Sequence, residues 1–308
     1  MSSVAPKPEA DRPILLTGGT GQVGMALRRL SGEGFQIHAP VRGELDLGDP
    51  EAIEAMIASR PWRAVISSGA YTAVDRAETD IETAWAVNAR APAALAVASG
   101  RAGIPILHLS TDFVFAGTKA SPYLENDPVG PLGVYGASKA AGEVAVASAN
   151  PRHLILRTAW VFSPDGNNFV KTMLRLAEIR DEVSVVNDQL GCPTSADDIA
   201  VVIKGLLTRM EGDQPPVGIY NLVNSGEASW HDLAGVVFAQ AQAAGRKIPE
   251  LKAIPASGYP TPARRPGNSR LDTSRLTRDF GLRLRPWQEA VRDVVSALLA
   301  QPTTKERS

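Results

Sequence analysis

The run PILLTGGTGQVGMALRRL, residues 13–30, decides the fold class. Pro13 to Thr17 is a short apolar segment of strand length, the glycines follow at once, and Met25 to Leu30 has the composition of a helix. Strand, glycine turn and helix in that order open a dinucleotide-binding unit. Glycines allow the tight turn and a close backbone approach, and the helix N-terminus receives a pyrophosphate. The spacing is G-x-x-G-x-x-G, through Gly18, Gly21 and Gly24.

Working outward, Phe35–Ala39 reads as a second strand ending at Pro40-Val41-Arg42. No carboxylate stands there for a ribose 2′-hydroxyl, so an NAD-selective acid is missing. Arg42 suits a 2′-phosphate and tilts the cofactor towards NADPH; an ordinary solvated arginine is the alternative, and NADH stays open. Asp46 is a candidate acceptor at an adenine. A helix over Pro50–Ser59, a strand over Ala64–Ala70 ending in small residues, and a long helix from about Glu78 to Arg101 follow. The next strand, Ile104–Leu109, delivers Ser110 and Thr111 at its carboxyl end, and His153–Thr158 is another. This alternation predicts an α/β, Rossmann-type doubly wound parallel sheet with a smaller C-terminal substrate-binding lobe. The expected division is a nucleotide-binding domain over 13–165 and a mainly substrate-binding lobe over 166–300, with segments of the lobe returning to the sheet. Residues 1–12 and 301–308 read as polar tails.

Tyr135 and Lys139 open a predicted helix, one turn apart on one face. An ammonium beneath a phenol favours phenolate and lowers the tyrosine pKa, which prepares Tyr135 to exchange a proton while a cofactor exchanges a hydride. Thr111 is placed to hold the reacting oxygen. Alone, Tyr-x-x-x-Lys is an amphipathic helix start; the glycine turn upstream gives it the second meaning.

The chain has 308 residues, 44% hydrophobic and 21% charged, which suits a soluble globular protein. A formal net charge of −1 supplies no field for nucleic acid or an anionic membrane. One cysteine, Cys192, excludes an intrachain disulfide and reads as an apolar filler. No signal-peptide pattern and no run of eighteen apolar residues occurs, so the expected location is the cytoplasm.

The glycine turn and the Thr111, Tyr135, Lys139 trio resemble the extended short-chain dehydrogenase/reductases. Stretches outside the cofactor half, among them Asn187–Thr194 and Pro262–Ser269, narrow the resemblance to reductases of nucleotide-linked sugars. It implies hydride transfer from NAD(P)H to the C4 ketone of a dTDP-linked 4-keto-6-deoxy sugar, giving dTDP-L-rhamnose. In that scheme Tyr135 protonates the nascent alkoxide, Lys139 tunes it and holds the nicotinamide ribose, and Thr111 binds the substrate oxygen. Gly18, Gly21, Gln22, Val23, Gly24, Arg42, Asp46, Leu47, Ala70, Tyr71 and Thr72 would meet the cofactor beside Tyr135 and Lys139. Thr72, Val74, Asp112, Phe113 and Trp160 would border the sugar. Trp160 is open between sugar wall and core, Asn168 between ligand contact and helix cap, and Arg265 between a nucleotide diphosphate and solvent.

Ser67-Ser68-Gly69 departs from the family's Asn-Ala-Ala, which leaves cofactor preference open. A homodimer and Mg²⁺ dependence are implied by the resemblance only, and no acidic cluster in this chain is assigned to a metal. A dehydratase needs a carboxylate pair after the threonine, and here Asp112 is followed by Phe113. An epimerase, another 4-reductase or a non-catalytic nucleotide-binding subunit of the same fold are the remaining alternatives.

Overall fold

The computed structural model describes residues 12–210 and 215–300; the expected tails lie outside the described residues, Arg12 excepted. Its centre is a six-stranded parallel sheet. The strands are β1 (Ile14–Thr17), β2 (Ile37–His38), β3 (Ala64–Ser67), β4 (Ile106–Thr111), β5 (His153–Thr158) and β10 (Gly218–Asn221), in the order β10-β5-β4-β3-β1-β2. Four short strands, β6 (Val161–Phe162), β7 (Glu182–Val186), β8 (Leu190–Gly191) and β9 (Thr194–Ser195), precede β10, and β11 (Ala228–Ser229) and β12 (Glu250–Ile254) follow it.

Strands β1 and β3 are buried at every position because helices cover both faces, which is why they read as unbroken apolar runs. The second strand is shorter than expected. Gly32 and Phe35 exchange backbone hydrogen bonds in a tight turn, so pairing with β1 begins only at Ile37. The chain runs from β1 outward to β2 and then crosses to β3 on the other side. That reversal opens a crevice at the carboxyl ends of β1 and β3, where doubly wound sheets bind ligands.

Helices α1 (Gln22–Arg29) and α8 (Ala196–Arg209) cover one face, and α2 (Pro50–Ala58), α5 (Ala91–Arg101) and α6 (Val134–Ala149) the other. The expected helix from Glu78 to Arg101 is interrupted. Helix α3 (Val74–Ala77) is closed when Arg76 O accepts from Thr79 N and Asp80 N, α4 (Ile81–Trp85) restarts, and a π-helical turn over Ala86–Arg90 leads into α5. Pro92 supplies the reason for the π turn, since it has no N–H to give the Asn88 carbonyl four residues back.

The lobe buries its own core between α7 (Phe169–Ile179), α9 (Trp230–Ala243), α11 (Trp287–Ala300) and the parallel pair β7–β12. Helix α10 (Ser274–Phe280) returns to the sheet with α8 and β10: Leu206, Tyr220, Leu276 and Phe280 share one apolar cluster with Leu16 and Leu27. Cys192 is buried, and burial pushes its thiol up to about 11, in keeping with an inert filler.

Candidate active site

The glycine turn is shaped by contacts a side chain would break. Gly18 has φ +72, and a Cβ there would come within 2.5 Å of Gly69 N; a Cβ on Gly24 would overlap Gly18 O. Ser68 Oγ donates to Thr17 O at 2.7 Å and Gly69 N to Thr17 Oγ1 at 3.3 Å, which ties the ends of β1 and β3 together. Gly21 is the N-cap of α1 and has no side chain to satisfy the first helical N–H groups. An uncapped helix start on a cavity fits a pyrophosphate.

From this turn a cavity of about 960 Å³ extends along the strand ends, at the upper limit for small-molecule sites. Gly18, Gly21, Gln22, Val23, Gly24, Arg42, Asp46, Leu47, Ala70, Tyr71, Thr72, Tyr135 and Lys139 all line it. The wall at Tyr71 is fixed by Asn88, which is fully buried in the π turn: its Oδ1 accepts from Tyr71 N at 2.8 Å and its Nδ2 donates to Tyr71 O and Ser138 Oγ, both at 3.1 Å. Ser138 Oγ in turn donates to Tyr135 O at 2.9 Å, which ties this wall of the cavity to helix α6.

At the other end lie Tyr135 and Lys139, with Thr111 and Asp112 beside them. Tyr135 is half-buried, and Phe113 meets it edge-on with ring centroids 5.6 Å apart. Thr111 Oγ1 donates to Asp112 Oδ1 at 2.9 Å and accepts from Phe113 N at 3.2 Å. Burial of the hydroxyl end pushes the Tyr135 phenol up to about 12; the Thr111 hydroxyl draws it down and Asp112 adds to the rise. This corrects the expectation that Lys139 lowers it. Lys139 Nζ is turned to the floor instead, donating to Leu109 O at 2.6 Å, and burial lowers its own pKa to about 8.

Asp112 is only 2% exposed, and desolvation lifts its carboxyl to about 6; the Ser269 and Thr111 hydroxyls and the N–H groups of Asp112 and Phe113 draw it down. Its Oδ2 has no hydrogen-bond partner, Ser269 standing near without making one. Beneath, Arg157 and Glu143 form a buried ion pair at 2.6 Å, and Ser110 Oγ donates to Glu143 Oε1 at 2.5 Å.

Of the expected sugar-facing residues, Thr72 and Tyr135 line the cavity, whereas Val74, Thr111, Asp112, Phe113, Trp160, Asn168 and Arg265 are not among its lining. Asn168 caps α7, its Oδ1 accepting from Lys171 N at 3.1 Å while its Nδ2 donates to Gln22 Oε1 at 2.9 Å. Arg265 makes a two-pronged pair with Asp75 at 3.0 and 2.8 Å, so its fork is engaged by a carboxylate of this chain. Trp160 has φ 47, a backbone region rare for an aromatic residue. It is held there by stacking on Trp230, with centroids 3.5 Å apart, and by Gly191, where any Cβ would collide with the indole.

Sequence reasoning missed Arg76 and Thr83, which also line the cavity, Asn88, which fixes its wall, and Trp230, which stacks on Trp160. For Asn88 a signal existed, a polar residue four positions before Pro92, whose missing N–H leaves its carbonyl unpaired in a regular helix. Among the described residues no group of three or more His, Cys, Asp or Glu side chains forms a metal site, and no helix is long and apolar enough to cross a membrane.

The chain matches the family model described as RmlD substrate binding domain over residues 12–300. It is 47% identical over 291 residues to the dTDP-4-dehydrorhamnose reductase of Sinorhizobium fredii, covering 94% of this chain and 98% of that one. It is 42% identical over 297 residues to the enzyme of the same name from Salmonella typhimurium, covering 94% and 99%. Among solved structures, dTDP-4-dehydrorhamnose reductase from Bacillus anthracis in complex with NADP is similar at a TM-score of 0.87 and 31% identity, covering 93% of this chain and 99% of that one.

Proposed function

We infer that the chain, which belongs to the dTDP-4-dehydrorhamnose reductase family, reduces the C4 ketone of dTDP-4-dehydro-L-rhamnose to dTDP-L-rhamnose with a nicotinamide cofactor. The observation that carries the reading is one cavity running from an uncapped glycine turn to Tyr135 and Lys139. The bound cofactor would supply the hydride; everything else falls to this chain's side chains.

Tyr135 is the proton donor. With its phenol raised to about 12 it stays protonated at any working pH, the form needed to neutralise an alkoxide at C4. Thr111 is the partner for the reacting oxygen once its hydroxyl turns from Asp112 Oδ1, its acceptor in the substrate-free chain, to the substrate. A donor to that oxygen acts more strongly in the transition state, where the charge develops, than in the ground state. Lys139, held on Leu109 O, binds the nicotinamide ribose. The preferred donor is NADPH, because Arg42 stands on the adenosine side of the cavity and no acid replaces it.

Among the described residues no group of three or more His, Cys, Asp or Glu side chains is placed to hold Mg²⁺. We place the enzyme in the cytoplasm with its nucleotide-sugar substrate, and as a homodimer, which sedimentation velocity reads directly.

The reaction is tested by mixing the protein with dTDP-4-dehydro-L-rhamnose and following loss of nicotinamide absorbance with NADPH or NADH. Tyr135→Phe is expected to lower kcat by about 10²-fold or more, and Arg42→Ala to raise KM for NADPH but not for NADH. Absence of NADPH oxidation, or full activity in Tyr135→Phe, would sink the reading.

A further inference from the structure

Lys139 meets two acceptors at the floor of the cavity, and neither is Tyr135. Its Nζ donates to Leu109 O at 2.6 Å and lies 3.3 Å from His108 Nε2, while His108 Nδ1 is 3.1 Å from Ser67 Oγ. Both side chains are buried, His108 completely. An ammonium has three N–H donors and no acceptor, so the ring nitrogen facing it must present a lone pair. The ring proton is therefore on Nδ1, where it is donated to Ser67 Oγ. Gly142 of α6 lies beside both groups: a Cβ there would overlap Asn88 O and stand in ordinary contact, 3.5 Å, with His108 Nε2.

We propose that His108 is the positioning residue of Lys139, a permanently neutral imidazole, protonated at Nδ1, that fastens the ammonium to β4 and leaves its third N–H for the cavity. The role in turnover rests on the reductase reading; the tautomer does not. Burial first, and then the Lys139 charge, hold His108 well below the ordinary histidine range, so the ring stays neutral. Burial lowers Lys139 to about 8, opposed by Glu143 one turn further along α6. Glu143 shares its charge with Arg157 of β5, and Tyr135 and Asp112 are the other ionisable groups around this end of the helix. A buried ammonium that loses an acceptor loses its charged form first. His108 is thus one of two acceptors that keep Lys139 charged at neutral pH.

Ring ¹⁵N spectra of the cofactor-free protein test the tautomer. His108 is expected to show a protonated Nδ1 and a bare Nε2, with no titration between about pH 5.5 and 8, where an ordinary histidine titrates. A proton on Nε2, or an imidazolium in that range, overturns the proposal whatever the activity. In turnover with NADPH and dTDP-4-dehydro-L-rhamnose, the wild type is expected to lose rate as pH rises through about 8, where Lys139 deprotonates. His108→Leu should move this limb down by about one unit, a loss of about tenfold on the alkaline side. His108→Gln, whose amide oxygen accepts, should bring the limb back. A limb that stays in place in both variants while the rate falls evenly makes His108 mere packing and overturns the proposal. If the wild type does not turn over this substrate, the reductase reading fails, and the nitrogen spectra still decide the tautomer.

Discussion

Asp112 carries a charge where burial disfavours one. Its carboxyl is raised to about 6 in the folded chain and returns to about 3.9 on unfolding. Between those values the folded protein binds a proton that the unfolded chain has released, so stability falls as pH rises through the window. The penalty is absent below about pH 4 and complete above about pH 6. Asp112→Asn is therefore expected to raise the unfolding temperature at pH 7.5, by on the order of 2 kcal/mol in stability, and to leave it unchanged at pH 4. Thermal denaturation at the two pH values checks this. The buried pair Arg157–Glu143 makes the opposite demand, since each is the other's charged partner, with only Ser110 Oγ and the Glu125 carbonyl as further hydrogen bonds. Arg157→Met strands the carboxylate and is expected to cost about 3–5 kcal/mol in urea denaturation, whereas Arg157→Met with Glu143→Leu should cost less than that single change. Gly18, Tyr135 and Lys139 were legible in the sequence because what defines them is local: a turn too tight for a Cβ, and one helical turn of spacing. Arg265 was not, because its partner Asp75 is 190 positions away and only folding brings the two charges together. The pKa of Tyr135 was misjudged for the same reason. Spacing along a helix does not tell that Lys139 finds a better acceptor in the strand below.

The π turn over Ala86–Arg90 is the element on which the cofactor wall depends. It sets Asn88 so that one side chain satisfies both backbone groups of Tyr71 and reaches Ser138 on α6. Asn88→Ala leaves a buried donor and acceptor unpaired and is expected to cost about 2 kcal/mol of stability. It should also weaken NADPH binding more than it slows the chemical step, which a fluorescence titration set beside single-turnover rates separates. Strand and helix positions around this turn were readable from apolar periodicity, and the break ahead of Pro92 was not, because the alanine-rich run on both sides of it reads as one continuous helix. Helix α7 gives the converse case. Its start at Asn168 was one of two readings the sequence left open, and the structure uses the side chain as the cap, with the leftover amide tied to Gln22 in the glycine turn.

At the scale of the whole molecule, the central sheet is assembled from distant parts of the chain. Five strands come from the first 158 residues, but β10 arrives only at Gly218, and α8 and α10 complete the apolar cluster around Leu16 and Leu27. The alternation of strands and helices announced the sheet; nothing in residues 218–221, GIYN, announces a strand destined for its edge, since four residues carry too little pattern. During synthesis the nucleotide-binding half must therefore wait, with one side of its sheet bare, until the last third of the polypeptide has left the ribosome. A chain stopped after residue 195 should fail to bind NADPH and collect in the insoluble fraction, and supplying residues 196–300 as a separate polypeptide in the same cell should recover soluble protein. The halves that look separable on paper are thus expected to share one folding event, in which a stop codon at residue 196 damages the cavity as much as an early one.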